Sequence, residues 1–162
     1  MGPDSCSHFS HSHFLVILFV LQVTDIVACP KDWLSHRNSC FGLFTNIKMS
    51  WNDAEVACQS KASGGHLATI SSEIEMKSIS SFISRNYGNV GNIWIGLQDG
   101  GRAPNRIWQW EDLSPVVYSS WAPGQPKGVN EKCATLISPG YLKWSADVCS
   151  KLHGYLCQFL LF

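Results

Sequence analysis

The chain has 162 residues, 45% of them hydrophobic and 15% charged, which suits one folded domain and leaves little room for two independent cores. Twelve Lys and Arg balance twelve Asp and Glu, with six His outside that count. No long basic run is present to release counterions from phosphates, so the composition points away from nucleic acid.

Residues 1–28 read as a signal peptide. The apolar stretch FLVILFV continues through Val23 with only Gln22 interrupting, far short of the roughly 20 residues that span a bilayer. Ala28 is a small residue suited to the position before cleavage, although the preceding segment carries His8, His11 and His13 and no Lys or Arg. An uncleaved anchor is the alternative. Without this segment twelve basic residues face ten acidic ones, a net charge of +2. Of seven cysteines, Cys6 falls in the leader and six remain. An even count in a secreted chain of this size reads as three disulfides, for which fifteen pairings exist and spacing alone selects none. No CxxC pair suggests zinc.

After a turn-rich lead-in, a short strand is predicted near Phe41 to Phe44. MSWNDAEVACQSKA then reads as a helix, with Ser50 as cap, Asp53 at capping-box spacing, and an apolar stripe of Trp51, Ala54, Val56, Ala57 and Cys58. SGG at 63–65 stops it. HLATI is a short strand. A second helix starts at Ser72, with Glu75 three residues on and Ile74, Ile79, Phe82 and Ile83 as its inward face. NYGNVGN is a turn region, and IWIGL is an apolar run of buried-strand length. Beyond Gly100 helical periodicity disappears, leaving IWQWED, CATLI, LKWSA and GYLCQF as short strands between turn signals. Helices first and strands with loops second give an α+β fold. A loop of some 30 residues from Gly100 to Glu131 needs a functional reason, and its Trp108, Trp110 and Trp121 predict that it packs back on the domain.

Taken together, CPKDWLSHRNSCFGLF, SWNDAEVACQS, GGHLATISS, IWIGL, WQWEDLSP, SSWAPGQP, EKCATL, LKWSADVC and GYLCQF resemble a C-type lectin-like domain spanning residues 29–162. The extra pair Cys29 and Cys40 is similar to the long form of that fold. The closest likeness is to its secreted single-domain group of regenerating (lithostathine-like) proteins, venom lectins, eggshell proteins and antifreeze proteins. The resemblance implies two helices with small antiparallel sheets and a long loop region. It also implies the pairing Cys29–Cys40, Cys58–Cys157 and Cys133–Cys149.

In sugar-binding members, calcium sits between the long loop and a strand bearing Asn and Asp. Carried over residue by residue, this implies a ligand-binding set of Trp121, Gln125, Lys127, Glu131, Tyr141 and Ser145. Gln125 and Glu131 keep usable oxygens. Lys127 replaces an acceptor with a cation, and Ser145 and Ala146 replace the strand's Asn and Asp. Asp147 lies one residue late, on the other face of a strand. At a second calcium position Asp99 matches but Ala103 and Gly128 stand where carboxylates belong. Calcium is therefore not expected as a cofactor, and Lys127 is expected to pair with Glu131. Trp121 or Tyr141 is expected to stack on a sugar, with Lys132 and Lys143 nearby.

The expected function is calcium-independent recognition of a carbohydrate or glycan surface by a secreted protein. The first alternative is an extracellular protein-interaction or signalling module without sugar binding, and the second a mineral- or ice-surface protein. His36, His66 and His153 are scattered and no nucleophile motif appears, so no enzyme is expected, nor membrane insertion once the leader is removed.

Overall fold

Both predicted helix starts are built from serine caps. The computed structural model describes residues 28–161, so the predicted leader lies outside the described residues save for Ala28. Helix α1 (Trp51–Lys61) opens with the Ser50 hydroxyl accepting the Asp53 N–H at 3.3 Å, and α2 (Glu73–Asn86) with Ser72 accepting the Glu75 N–H at 3.1 Å. Two predicted core positions differ. Val56 and Ile74 are 64% and 62% exposed, while Glu55 and Glu75 are buried. The reason is backbone hydrogen bonding. Glu55 accepts the Leu67 N–H at 2.8 Å and Glu75 accepts the Ser71 N–H at 2.8 Å, so each carboxylate ties its helix to the neighbouring chain.

The strands are β1 (Leu34–His36), β2 (Ser39–Met49), β3 (His66–Leu67), β4 (Ile93–Asp99), β5 (Trp108–Trp110), β6 (Cys133–Leu136), β7 (Trp144–Asp147) and β8 (His153–Leu160). They form one hydrogen-bonded path, β1-β2-β8-β4-β6-β7, with β3 added to β8 and β5 to β4. Every pairing is antiparallel except β4 with β8, where Ile93 faces Gly154 and Trp94 faces Tyr155. Gly96 in WIGL is fixed by crowding, since a Cβ there would come within 2.5 Å of the Leu67 carbonyl oxygen.

Helix α2 covers an apolar core of Phe41, Ile70, Ile79, Ile83, Ile93 and Ile95, joined by Trp110 and Trp144 from the second half. Helix α1 closes a second cluster with Trp51, Trp94 and Tyr155. Buried tryptophans find acceptors: the Trp51 indole donates to the Ile95 carbonyl at 2.8 Å and Trp94 to Met49 at 2.9 Å. The disulfides are Cys29–Cys40, Cys58–Cys157 and Cys133–Cys149, the pairing the resemblance implied. Cys58–Cys157 spans 99 residues, for which chain entropy gives about 4.7 kcal/mol of stabilisation; the 16-residue Cys133–Cys149 separation gives about 3 kcal/mol.

Candidate functional site: the long loop and strand β7

The segment from Gly100 to Lys132 folds back through its tryptophans. Trp121 lies 4.8 Å from Trp108 and 5.8 Å from Trp144, ring centroid to centroid, and its backbone forms a parallel bridge with Trp144. The Trp144 N–H donates to the Ser120 carbonyl at 2.8 Å, and the Ala122 N–H donates to the Trp144 carbonyl at 2.9 Å. The loop is thereby laid along β7, and Trp121 remains half-buried at the joint.

Gln125 precedes a cis peptide to Pro126, and its side chain is used internally. Its Oε1 accepts the Ala146 N–H at 3.1 Å, joining the loop to β7 where the family pattern would place a shared ligand. Ser145 points its hydroxyl at Thr135 Oγ1, 3.0 Å away on β6. Lys127 is exposed, and its expected partner is not engaged. Among the described residues no ion pair within 4 Å joins Lys127 to Glu131. Glu131 instead folds against Gly128, where a Cβ would lie 2.8 Å from its carboxylate.

Tyr141 requires a correction. Its ring is 1% exposed, in the apolar core, and its hydroxyl accepts the Val90 N–H at 2.9 Å and donates to the Gly91 carbonyl at 3.1 Å. The tyrosine holds the turn after α2, with no ring face left for stacking on a sugar. Sequence reasoning placed it near the loop through the Cys133–Cys149 bridge, which says nothing about burial.

Asp147 is turned away from the loop, as its one-residue offset predicts. It accepts from Lys151 Nζ at 2.7 Å, from the Val148 N–H at 2.8 Å, and lies 2.9 Å from His153 Nε2. Burial pushes its carboxyl up, but the hydrogen bonds from Lys151, His153 and Val148 outweigh that and hold it below its ordinary value.

The cation organising the loop is Arg106, which sequence reasoning missed. Asp99, buried at the end of β4, accepts the Gly101 and Ile107 N–H groups on Oδ1, both at 2.9 Å. Arg106 Nε stands 3.7 Å from Asp99 Oδ2, while its Nη2 donates to the Gly128 carbonyl and its guanidinium lies 5.5 Å from the Trp108 ring centre. One side chain thus spans the two loop limbs near Asp99 and Gly128. Lys132 adds a contact to the Gly101 carbonyl at 3.3 Å. The sequence held a faint signal for this in the Asp99-Gly-Gly turn followed by arginines within the same loop.

A family model described as the lectin C-type domain matches residues 47–159. The chain belongs to this family. A C-type lectin mannose-binding isoform from Oxyuranus scutellatus is 38% identical over 147 residues, covering 89% of this chain and 91% of the relative. Among solved structures, human lithostathine superposes with a TM-score of 0.75 at 32% identity, covering 83% of this chain and 92% of that one. A calcium-independent type II antifreeze protein superposes with a TM-score of 0.69 at 28% identity, covering 83% and 96%. No helix among the described residues is long and apolar enough to cross a membrane.

Proposed function

We propose that this C-type lectin domain is a secreted glycan-recognition module that works without calcium, through the polar rim of the long loop. The observation that carries the reading is Arg106, which joins Asp99 to the Gly128 carbonyl and so supplies internally the cation that would otherwise bind the two limbs of the loop. Calcium takes about six to eight oxygen ligands, several of them carboxylates. The side chains do not fit it. Gln125 Oε1 is committed to Ala146, Ser145 to Thr135, and Asp147 to Lys151 and His153, leaving Glu131, folded against Gly128, as a lone carboxylate.

The rim that remains combines Lys127 and Glu131 with the exposed part of Trp121. Ammonium and carboxylate groups suit sugar hydroxyls and acids, and the face of an indole suits a sugar's apolar C–H face. The mannose-binding description of the Oxyuranus relative supports a glycan as ligand, and the calcium-independent antifreeze neighbour supports a metal-free loop on this fold. Secretion is supported by the three disulfides and by the predicted leader. We read a binding module and not an enzyme, because among the described residues His66 and His153 are hydrogen-bonded to Glu55 and Asp147 and to no nucleophile.

Protein docking is the second reading, favoured by Leu113 and Val117, which are 88% and 73% exposed on the same loop. A glycan array run with calcium and with chelator separates the outcomes. Equal binding in both supports the proposal, binding lost in chelator overturns its metal-free part, and no binding favours protein docking.

A further inference from the structure

Strand β2 outruns its partner. Strand β1 pairs with it only over Ser39–Phe41, and its register with β8 breaks between Phe44 and Met49. Rings gather beside the uncovered stretch. Trp33 lies on Gly42, where a Cβ would come within 2.4 Å of the indole. Its ring meets Phe44 edge-on at 5.8 Å, and Phe44 stacks with Tyr155 at 5.4 Å and 20°. These rings line a cavity of about 630 Å³, within the usual size range of small-molecule sites. No residue of the long loop or of β7 contributes to it.

Two cations stand on its walls. Lys61, the last residue of α1, bends over the rings with Nζ 4.5 Å from the Phe44 centroid, and Lys31 lines the cavity from the lead-in. Among the described residues neither is in an ion pair within 4 Å, and Asp32, the one acid on the wall, pairs with neither. Asp32 sits toward Tyr87, whose phenol is pushed up by burial and, second, by the Asp32 charge. The half-buried Phe44 ring gives the Lys61 ammonium no hydrogen bond, and an oxyanion offers it a charge-assisted one.

We propose that this cavity binds a small organic anion, a carboxylate, sulfate or sulfonate carried on a ring. The ring rests on Trp33 and Phe44, and the oxyanion takes Lys61 and Lys31. Apolar rings beneath and unpaired ammonium groups above select for that combination, and a neutral ring of the same shape forfeits the second half of the interaction. The site stands independently of the long-loop reading, since the two share no residue.

The test is titration of the oxidised protein with 8-anilinonaphthalene-1-sulfonate, read by fluorescence and by the assigned Trp33 indole signal in nitrogen–proton NMR. The neutral analogue N-phenyl-1-naphthylamine is titrated alongside. We expect a single site that shifts the Trp33 signal and holds the neutral analogue about tenfold more weakly. Lys61→Gln weakens the sulfonate about tenfold and leaves the neutral probe unchanged, while Lys61→Arg retains binding. Displacement by N-acetylneuraminic acid assigns the source as an acidic sugar, and displacement by benzoate alone assigns it as an aromatic acid. Equal affinity for both probes, an unmoved Trp33 signal, an unaffected Lys61→Gln variant, or failure of both competitors would each overturn the proposal.

Discussion

Arg106 and Asp99 face each other at the base of the long loop, Nε 3.7 Å from Oδ2, with the arginine 21% exposed and the aspartate 3%. The carboxylate also holds the Gly101 and Ile107 N–H groups, so the pair fixes both the start and the return of the first loop turn. Removing the arginine leaves a buried acid without its cation. Arg106→Ala is expected to cost about 1–3 kcal/mol, less than a fully buried pair because the guanidinium is partly solvated. Hydrogen exchange at the Gly101 and Ile107 amides should accelerate in step. Unchanged exchange at both would show that the aspartate turn stands without its arginine.

Calcium at millimolar concentration is expected to leave the thermal unfolding midpoint of the native chain unchanged. The variant K127N/S145N/A146D restores an acceptor on the loop and an amide and a carboxylate on β7. It is expected to gain calcium-dependent stability, about 2.7 kcal/mol once the ion exceeds its Kd a hundredfold. A native chain that calcium stabilises as strongly as the variant would contradict the metal-free reading.

Asp147 makes a pH prediction whose sign follows from its depressed carboxyl, for which the hydrogen bonds from Lys151, His153 and Val148 outweigh burial. Its stabilising contribution is complete above the ordinary unfolded value of about 3.9 and is lost as pH falls from there through the lower folded value. Asp147→Asn should therefore be less stable than the native chain at neutral pH, with the difference closing at the acid end. Urea midpoints between about pH 2 and 7 measure this, and a constant difference across the range would rule out the linkage.

Glu55 is buried yet holds three neighbours: the Leu67 N–H at 2.8 Å, Gln59 Nε2 at 3.0 Å and His66 Nδ1 at 2.6 Å. Glu55→Ala strands the Leu67 amide and is expected to destabilise by about 1–3 kcal/mol. Glu55→Gln keeps an acceptor and should lose less. Equal losses in urea unfolding would mean that the negative charge, and not the hydrogen bond to Leu67, is what the fold requires.

How much was legible in the sequence depends on how local each cause is. Ser50 and Ser72 announce their helices because a cap acts over three residues, and Asp147 was read as turned away because strand alternation acts over one. Val56 and Ile74 were placed inside by helical period, but a neighbouring carboxylate with a backbone donor to satisfy took the inner position: Glu55 holds the Leu67 N–H of another segment, and Glu75 holds the Ser71 N–H just before its own helix cap. In the site, the identities of Gln125, Lys127, Ser145 and Ala146 could be read against a family pattern. Their hydrogen bonds could not. Arg106 meets the Gly128 carbonyl across 22 residues of loop, and nothing in the order of residues marks that meeting. Tyr141 shows the same blindness: its hydroxyl serves Val90 and Gly91, about 50 positions away.

The position of β8 carries a consequence for how the chain comes to be folded. It is the last of the eight strands in chain order, yet it lies between β2 and β4 and also carries β3. A nascent chain that has emerged only as far as β7 therefore has its sheet in three unconnected parts, β1 with β2, β3 alone, and β4 with β5, β6 and β7, and the partner of Cys58 is still to come. Closure of the domain waits for β8 to emerge, so the early segments must be kept apart from other chains until then.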